Sequence, residues 1–253
     1  MTYILLALAV LPVLVLTIFI YSQDKYQKEP AGKLLKAFFF GVLSIIPAIL
    51  LESLLGSFTP AIPILGGLWD GFVVAGCSEE LCKLLMLSLA IWKSREFDEY
   101  FDGIVYACFT SLGFACFENV MYVLDAGDFA SALQTGTLRA VLSVPAHFLF
   151  GVMMGYHFAL AKFDTVRRKR HLWHAFLYPM LMHGTFDSLL MIPETVADEG
   201  LQMLLGGGLF LVLIFFDVKM WRWGVRRIKR LQELSRQQDF DRGHPFDGFT
   251  WDF

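Results

Sequence analysis

The sequence predicts an all-α, polytopic membrane protein with about seven transmembrane helices, its N-terminus outside and its C-terminus in the cytosol. Three observations carry that prediction. Hydrophobic residues make up 56% of the chain and charged residues only 18%, whereas soluble domains are nearer a quarter charged. The apolar residues fall into runs of about 20, the length an α-helix needs to cross a bilayer. The basic residues sit on alternate sides of those runs.

The runs are roughly 3–21, 34–55, 63–92, 102–124, 139–161, 172–192 and 201–221. The first has no basic stretch before it and no small-residue cleavage site, so it reads as a retained helix. The third is long enough to tilt or to extend past the bilayer. Lys25 and Lys28, with Lys33 and Lys36, follow run 1. Lys93 and Arg95 follow run 3, and Lys162 with Arg167, Arg168, Lys169 and Arg170 follow run 5. The remainder lie in the tail from Lys219. Of the 21 Lys and Arg residues, only Lys83 and Arg139 fall elsewhere. The intervening segments, 56–62, 125–138 and 193–200, are acidic or neutral. Residues 1–222 therefore read as one membrane domain, and 223–253 as a basic, then aromatic and acidic cytosolic tail, flexible and lying against the lipid bilayer. No internal repeat or soluble domain stands between the runs, and nothing points to nucleic acid.

Cys77, Cys82, Cys108 and Cys116 all lie within apolar runs and read as packing residues rather than a disulfide framework. His157, His171 and His174 lie at the cytosolic boundary and read as interfacial or surface groups.

The polar residues inside the runs carry the chemistry. A charge near the bilayer centre costs roughly 3 kcal/mol on insertion scales. Run 3 nevertheless holds Glu79, Glu80 and Lys83, which share an arc of about 100° on a helix. Gly76 shares that arc and allows a helix or a substrate to come close. Run 4 holds Glu118, Asn119 and Tyr122, with Glu118 and Tyr122 at i and i+4. Run 5 opens at Arg139 and continues to Pro145-Ala-His147, where the proline removes a helical hydrogen bond. Run 6 holds His183 and Asp187, again at i and i+4. By depth, Glu79, Glu80 and His183 fall near the midplane. Glu118, His147 and Asp187 fall in the outer half, so one outward-opening cavity can contain them all.

No HExxH, GxGD or GxSxG motif occurs in a run. The remaining set suits activation of water: a carboxylate accepts the proton, and His or Tyr stabilises the oxyanion. Bound Zn²⁺ is an equal alternative, with Glu79, Glu118, His147, His183 and Asp187 as ligands. Intramembrane Glu, His and Asp also build ion pathways, so a proton-coupled or divalent-metal transporter is the alternative class. A scaffold has no need of buried charge.

Glu79-Glu80-Leu-Cys-Lys83 is an EExxK motif, Phe117-Glu118-Asn-Val-Met-Tyr122 an FExxxY motif, and His183-Gly-Thr-Phe-Asp187 a third, His-based motif. In this order, and with His147, they resemble the PrsW family of intramembrane proteases, distantly related to CAAX-type prenyl endopeptidases and bacteriocin-processing membrane proteases. The resemblance covers roughly residues 63–192. It implies a multi-pass protein of a bacterial cell membrane. Its implied activity is cleavage of a single-pass membrane protein near its extracytoplasmic side, such as site-1 cleavage of an anti-sigma factor in stress signalling. It also implies either a glutamic-type or a metalloprotease mechanism. The catalytic set is then Glu79, Glu80, Glu118, His147 and His183, supported by Lys83, Asn119, Tyr122, Arg139 and Asp187.

Overall fold

The computed structural model describes residues 2–241, and among these residues every regular element is helical. α1 (Thr2–Gln23) is one uninterrupted rod. The second apolar run is broken into α2 (Ala31–Leu43) and α3 (Ile45–Gly56). Pro47 has no N–H for the Leu43 carbonyl, and the Ser44 hydroxyl donates to Gly41 O at 2.6 Å. Both features favour a joint there.

The third run is a continuous helix in three parts: α4 (Leu65–Trp69), a π-helical stretch (Asp70–Cys77) and α5 (Ser78–Ile91). α6 (Asp102–Asp125) ends at Gly127, whose φ of +78° suits a residue without Cβ. Asp128 caps the next helix by accepting from Ala130 N and Ser131 N. That helix is longer than the sequence suggests. α7 (Phe129–Leu138), a π turn (Arg139–Ser143) and α8 (Val144–Phe163) form one rod, so most of the expected 125–138 loop is helical. Pro145 near the start of α8 supplies the reason for the π turn, because it lacks the donor that a regular ladder needs there.

α9 (Arg168–Met191) and α10 (Glu199–Asp241) complete the chain. The expected flexible tail from residue 223 is corrected in its described part. α10 continues unbroken to Asp241, Ser235 Oγ accepts from Phe101 N at 2.9 Å, and Gln238 donates to Asp98 O. Residues 242–253, with the aromatic and acidic end, lie outside the described residues.

Among the described residues, five helical segments are long and apolar enough to cross a membrane: Tyr3–Gln23, Ala31–Gly56, Asp102–Asp125, Phe129–Phe163 and Glu199–Asp241. The two rods outside that group, Leu65–Ile91 and Arg168–Met191, carry the EExxK and His-based motifs. Leucines and phenylalanines of α1, α3 and α10 face outward, as Leu14, Leu50 and Phe215 do. Such an apolar exterior suits lipid.

α6 and α8 form the centre, each buried on nearly every face. Gly103, Ala107 and Ser111 of α6 meet Gly151, Gly155 and Ala159 of α8. A Cβ on Gly103 would lie 2.7 Å from the Ala159 Cβ, so small residues at four-residue spacing let the backbones touch. α9 reaches the EExxK helix in the same way. A Cβ on Gly76 would stand 2.9 Å from Met180 O and 3.0 Å from Gly184 N. Gly76 thus admits α9, and with it His183.

Candidate active site

Each side of the site is positioned by a helix joined to an irregular turn. The π stretch 70–77 runs directly into Glu79-Glu80, and the π turn 139–143 runs into Pro145-Ala-His147. Such bulges redirect side chains and recur at functional sites. All ten residues singled out from the sequence come together.

Lys83 stands at the centre of one half, fully buried. Its ammonium has three protons and three acceptors: Glu79 Oε2 at 3.0 Å, Glu80 Oε1 at 2.8 Å and His147 Nδ1 at 3.1 Å. The Phe114 ring lies 4.0 Å beneath it, a favourable cation–π contact. His183 contacts the same carboxylates through Nδ1 to Glu80 Oε1, 2.9 Å, and Nε2 to Glu79 Oε2, 3.8 Å. Asp187 approaches His183 Nε2 to 3.1 Å, and Phe150 stacks on the imidazole at 4.7 Å.

Glu118 centres the other half. It accepts from Arg139 Nη2 at 2.7 Å and meets His147 Nε2 at 2.9 Å. Arg139 Nε donates to Asn119 Oδ1 at 2.7 Å, and its guanidinium lies 4.1 Å from the Tyr122 ring. Asn119 in turn donates to Ala9 O, tying this half to α1. Because an ammonium only donates, His147 Nδ1 is the acceptor. His147 Nε2 therefore carries the proton, which it gives to Glu118. His147 thus bridges the two halves.

A cavity of about 810 Å³ opens over this network. Glu79, Glu118, Tyr122, Arg139, His147, His183 and Asp187 line it; Glu80 and Lys83 do not. Sequence reasoning missed Glu52 of α3 and Asp70, which also line it, and Thr59 donates to Asp70 at 2.5 Å. Glu52 was detectable, since it too is a carboxylate within an apolar run. Ser111, which holds the His147 carbonyl at 2.6 Å, left no signal in the sequence.

A family model described as PrsW family intramembrane metalloprotease matches residues 29–218. The chain belongs to the PrsW family. The Protease PrsW of Clostridioides difficile (strain 630) is 36% identical over 238 residues, 93% of this chain and 94% of its own length. That of Geobacillus kaustophilus is 34% identical over 238 residues, 92% and 95% of the two chains. That of Bacillus subtilis (strain 168) is 28% identical over 235 residues, 92% and 98%. No solved structure matches. This PrsW-family chain is therefore an intramembrane protease, a peptide hydrolase, rather than a transporter.

The family's description raises the question of a metal. Ligand atoms of Glu79, Glu80, His147 and His183 all lie within 4.8 Å of one another, and two carboxylates with two imidazoles suit zinc chemically. This group differs from the donors expected from the sequence: Glu80 enters it, while Glu118 is taken up by Arg139 and Asp187 stands behind His183. The arrangement itself does not fit an ion. Lys83 Nζ already occupies the focus of three of the four donors, and neither His147 nitrogen keeps a free lone pair. In this PrsW-family site the resident cation is an ammonium.

Proposed function

We propose that the chain hydrolyses a peptide bond of a single-pass membrane protein near its extracytoplasmic side, using water activated by Glu79 and no metal. The carrying observation is the asymmetry of the glutamates: Glu79 lines the cavity, while Glu80 and Lys83 lie buried behind it. Glu79 takes a proton from water as the water oxygen bonds to the scissile carbonyl carbon. The resulting oxyanion receives a hydrogen bond from the Tyr122 hydroxyl and shares with Asp187 the proton on His183 Nε2, which lines the cavity. The carbon–nitrogen bond then breaks, and the amine leaves with the proton that Glu79 had taken. Glu80 and Lys83 hold His183 and Glu79 in place. His147, with both nitrogens engaged, is a positioning residue that links this half to Glu118 and Arg139.

The alternation of basic segments supports an orientation with the N-terminus outside and the cavity facing outward, in a bacterial cell membrane. It supports seven crossings, with the membrane domain ending near residue 222. An anti-sigma factor is the substrate class that the resemblance favours.

Reconstitution with a single-span substrate tests the reading. Glu79→Gln is expected to lower cleavage by about 10²–10⁴-fold while the protein stays folded. Full cleavage by Glu79→Gln sinks the assignment.

A further inference from the structure

Ten residues below His147 on the same helix, about 15 Å away, α8 carries His157. His171 and His174, at i and i+3 in the first turns of α9, stand beside it. One ring nitrogen from each of the three lies within 4.8 Å of the others. His157 is 7% exposed, and neither of its ring nitrogens has a hydrogen-bond partner. His171 Nδ1 is also buried without a partner. A neutral imidazole has one donor and one acceptor nitrogen to satisfy, and a buried group left unmet is costly. A partnerless nitrogen on each of His157 and His171, beside a His174 nitrogen within the same 4.8 Å, indicates a missing ligand.

Asp164 supplies an independent sign. Its Oδ2 lies 3.5 Å from His171 Nε2. A carboxylate beside Nε2 favours the tautomer with its proton there and leaves Nδ1, buried without a partner, free to ligate. The His157 ring is itself held by stacking on Tyr178 at 4.9 Å and 13°, with His174 edge-on at 5.2 Å.

We propose that His157, His171 and His174 form a zinc site that ties α8 to α9, separate from the carboxylate cluster. Three imidazoles without a thiolate suit Zn²⁺, with water in the fourth position. Hard cations such as Ca²⁺ need oxygen ligands, which the three imidazoles do not supply. At an ordinary zinc–nitrogen distance the ligand atoms stand about 3.4 Å apart. His171 and His174 are half-buried and free to close by that amount. The ion links the two helices that carry His147 and His183, at the end away from the cavity.

Purified full-length protein in detergent, stripped of metal and titrated with Co²⁺, tests this. An equivalent that gives the intense visible bands of tetrahedral cobalt and is displaced by Zn²⁺ is expected. It persists in a Glu79→Gln/His183→Asn variant and is lost in His171→Asn/His174→Asn. Zinc raises the Tm of the wild type but not of that second variant. If the double variant does not fold, His174→Asn alone is expected to weaken cobalt binding roughly tenfold or more. No tetrahedral cobalt in the wild type, or undiminished binding after loss of His174, overturns the proposal. So does loss of the equivalent only in Glu79→Gln/His183→Asn, which assigns the ion to the carboxylate cluster.

Discussion

The Lys83 ammonium donates to His147 Nδ1 across 3.1 Å, joining helices whose contact residues are 64 positions apart. That bond settles the tautomer of His147, directs its other nitrogen to Glu118, and fills the point on which the donors converge.

Removing this cation leaves two adjacent buried carboxylates facing only His183. Lys83→Met is expected to destabilise the protein by about 3–5 kcal/mol, read by thermal unfolding in detergent. Adding Glu80→Gln to Lys83→Met recovers part of the loss. An unchanged Tm in Lys83→Met contradicts the central role given to the ammonium.

Arg139 binds Glu118 and Asn119 with different nitrogens and lies over Tyr122. A lysine has neither the fork nor the plane. Arg139→Lys should keep the fold and lower cleavage by about 10- to 100-fold through misplacement of Glu118 and His147. Wild-type turnover in this variant argues against a positioning role for the pair.

Gly76 is the contact through which α9 docks. Gly76→Leu forces a side chain against Met180 O and Gly184 N, and overpacking of this kind costs about 1–3 kcal/mol. Cleavage should be lost as His183 is pushed from Glu80. Gly32→Leu, where nothing lies within 4 Å, is the control and should change neither stability nor activity. Equal behaviour of the two variants removes close packing as the explanation.

Outside the membrane segments, the turn between α1 and α2 buries Asp24 and Glu29. Glu29 N donates to Asp24 Oδ2, and Tyr106 donates to the Glu29 carboxylate. Burial lifts Asp24 to about 6 and Glu29 to about 8, with Asp98 and Glu96 adding like charge near Glu29 and Lys28 opposing the rise at Asp24. The folded state therefore holds protons that the unfolded chain releases near pH 4. This stabilisation is fully present below about pH 4 and is lost as pH rises through about 6 and about 8. The Tm should fall between about pH 4 and pH 8, and fall less in Asp24→Asn/Glu29→Gln. An identical fall in that variant excludes these two groups as the cause.

The ammonium at the focus also predicts how chelators act. In the His171→Asn/His174→Asn background, cleavage should be indifferent to a strong chelator. Activity lost to the chelator and restored by zinc in that background shows a metal at the catalytic group and replaces the glutamate-only mechanism.

Much of the site was legible because its residues are out of place. Glu79, Glu80 and Lys83 are costly in an apolar run wherever that run packs, and the i, i+4 spacing of His183 and Asp187 puts them on one face in any α-helix. Glu52 carries the same signal and belongs to the same cavity. Ser111 carries none, because a serine in a helix is unremarkable until the His147 carbonyl is seen beside it. His171 and His174 are neighbours by spacing alone, but their partner His157 comes from another helix. The π turns were hidden as well: Pro145 marks one, while the stretch 70–77 contains no proline.

The sequence alone determined that this protein is a set of apolar helices and which polar residues those helices bury, since hydropathy and helical period are properties of neighbouring residues. Tertiary structure decided which glutamate meets the cavity, which histidine joins Lys83 to Glu118 and which histidines share a point. Those outcomes depend on how each helix is rotated about its own axis. The rotation is set by contacts such as Gly76 on Met180 and Gly103 on Ala159, made between segments far apart in the chain.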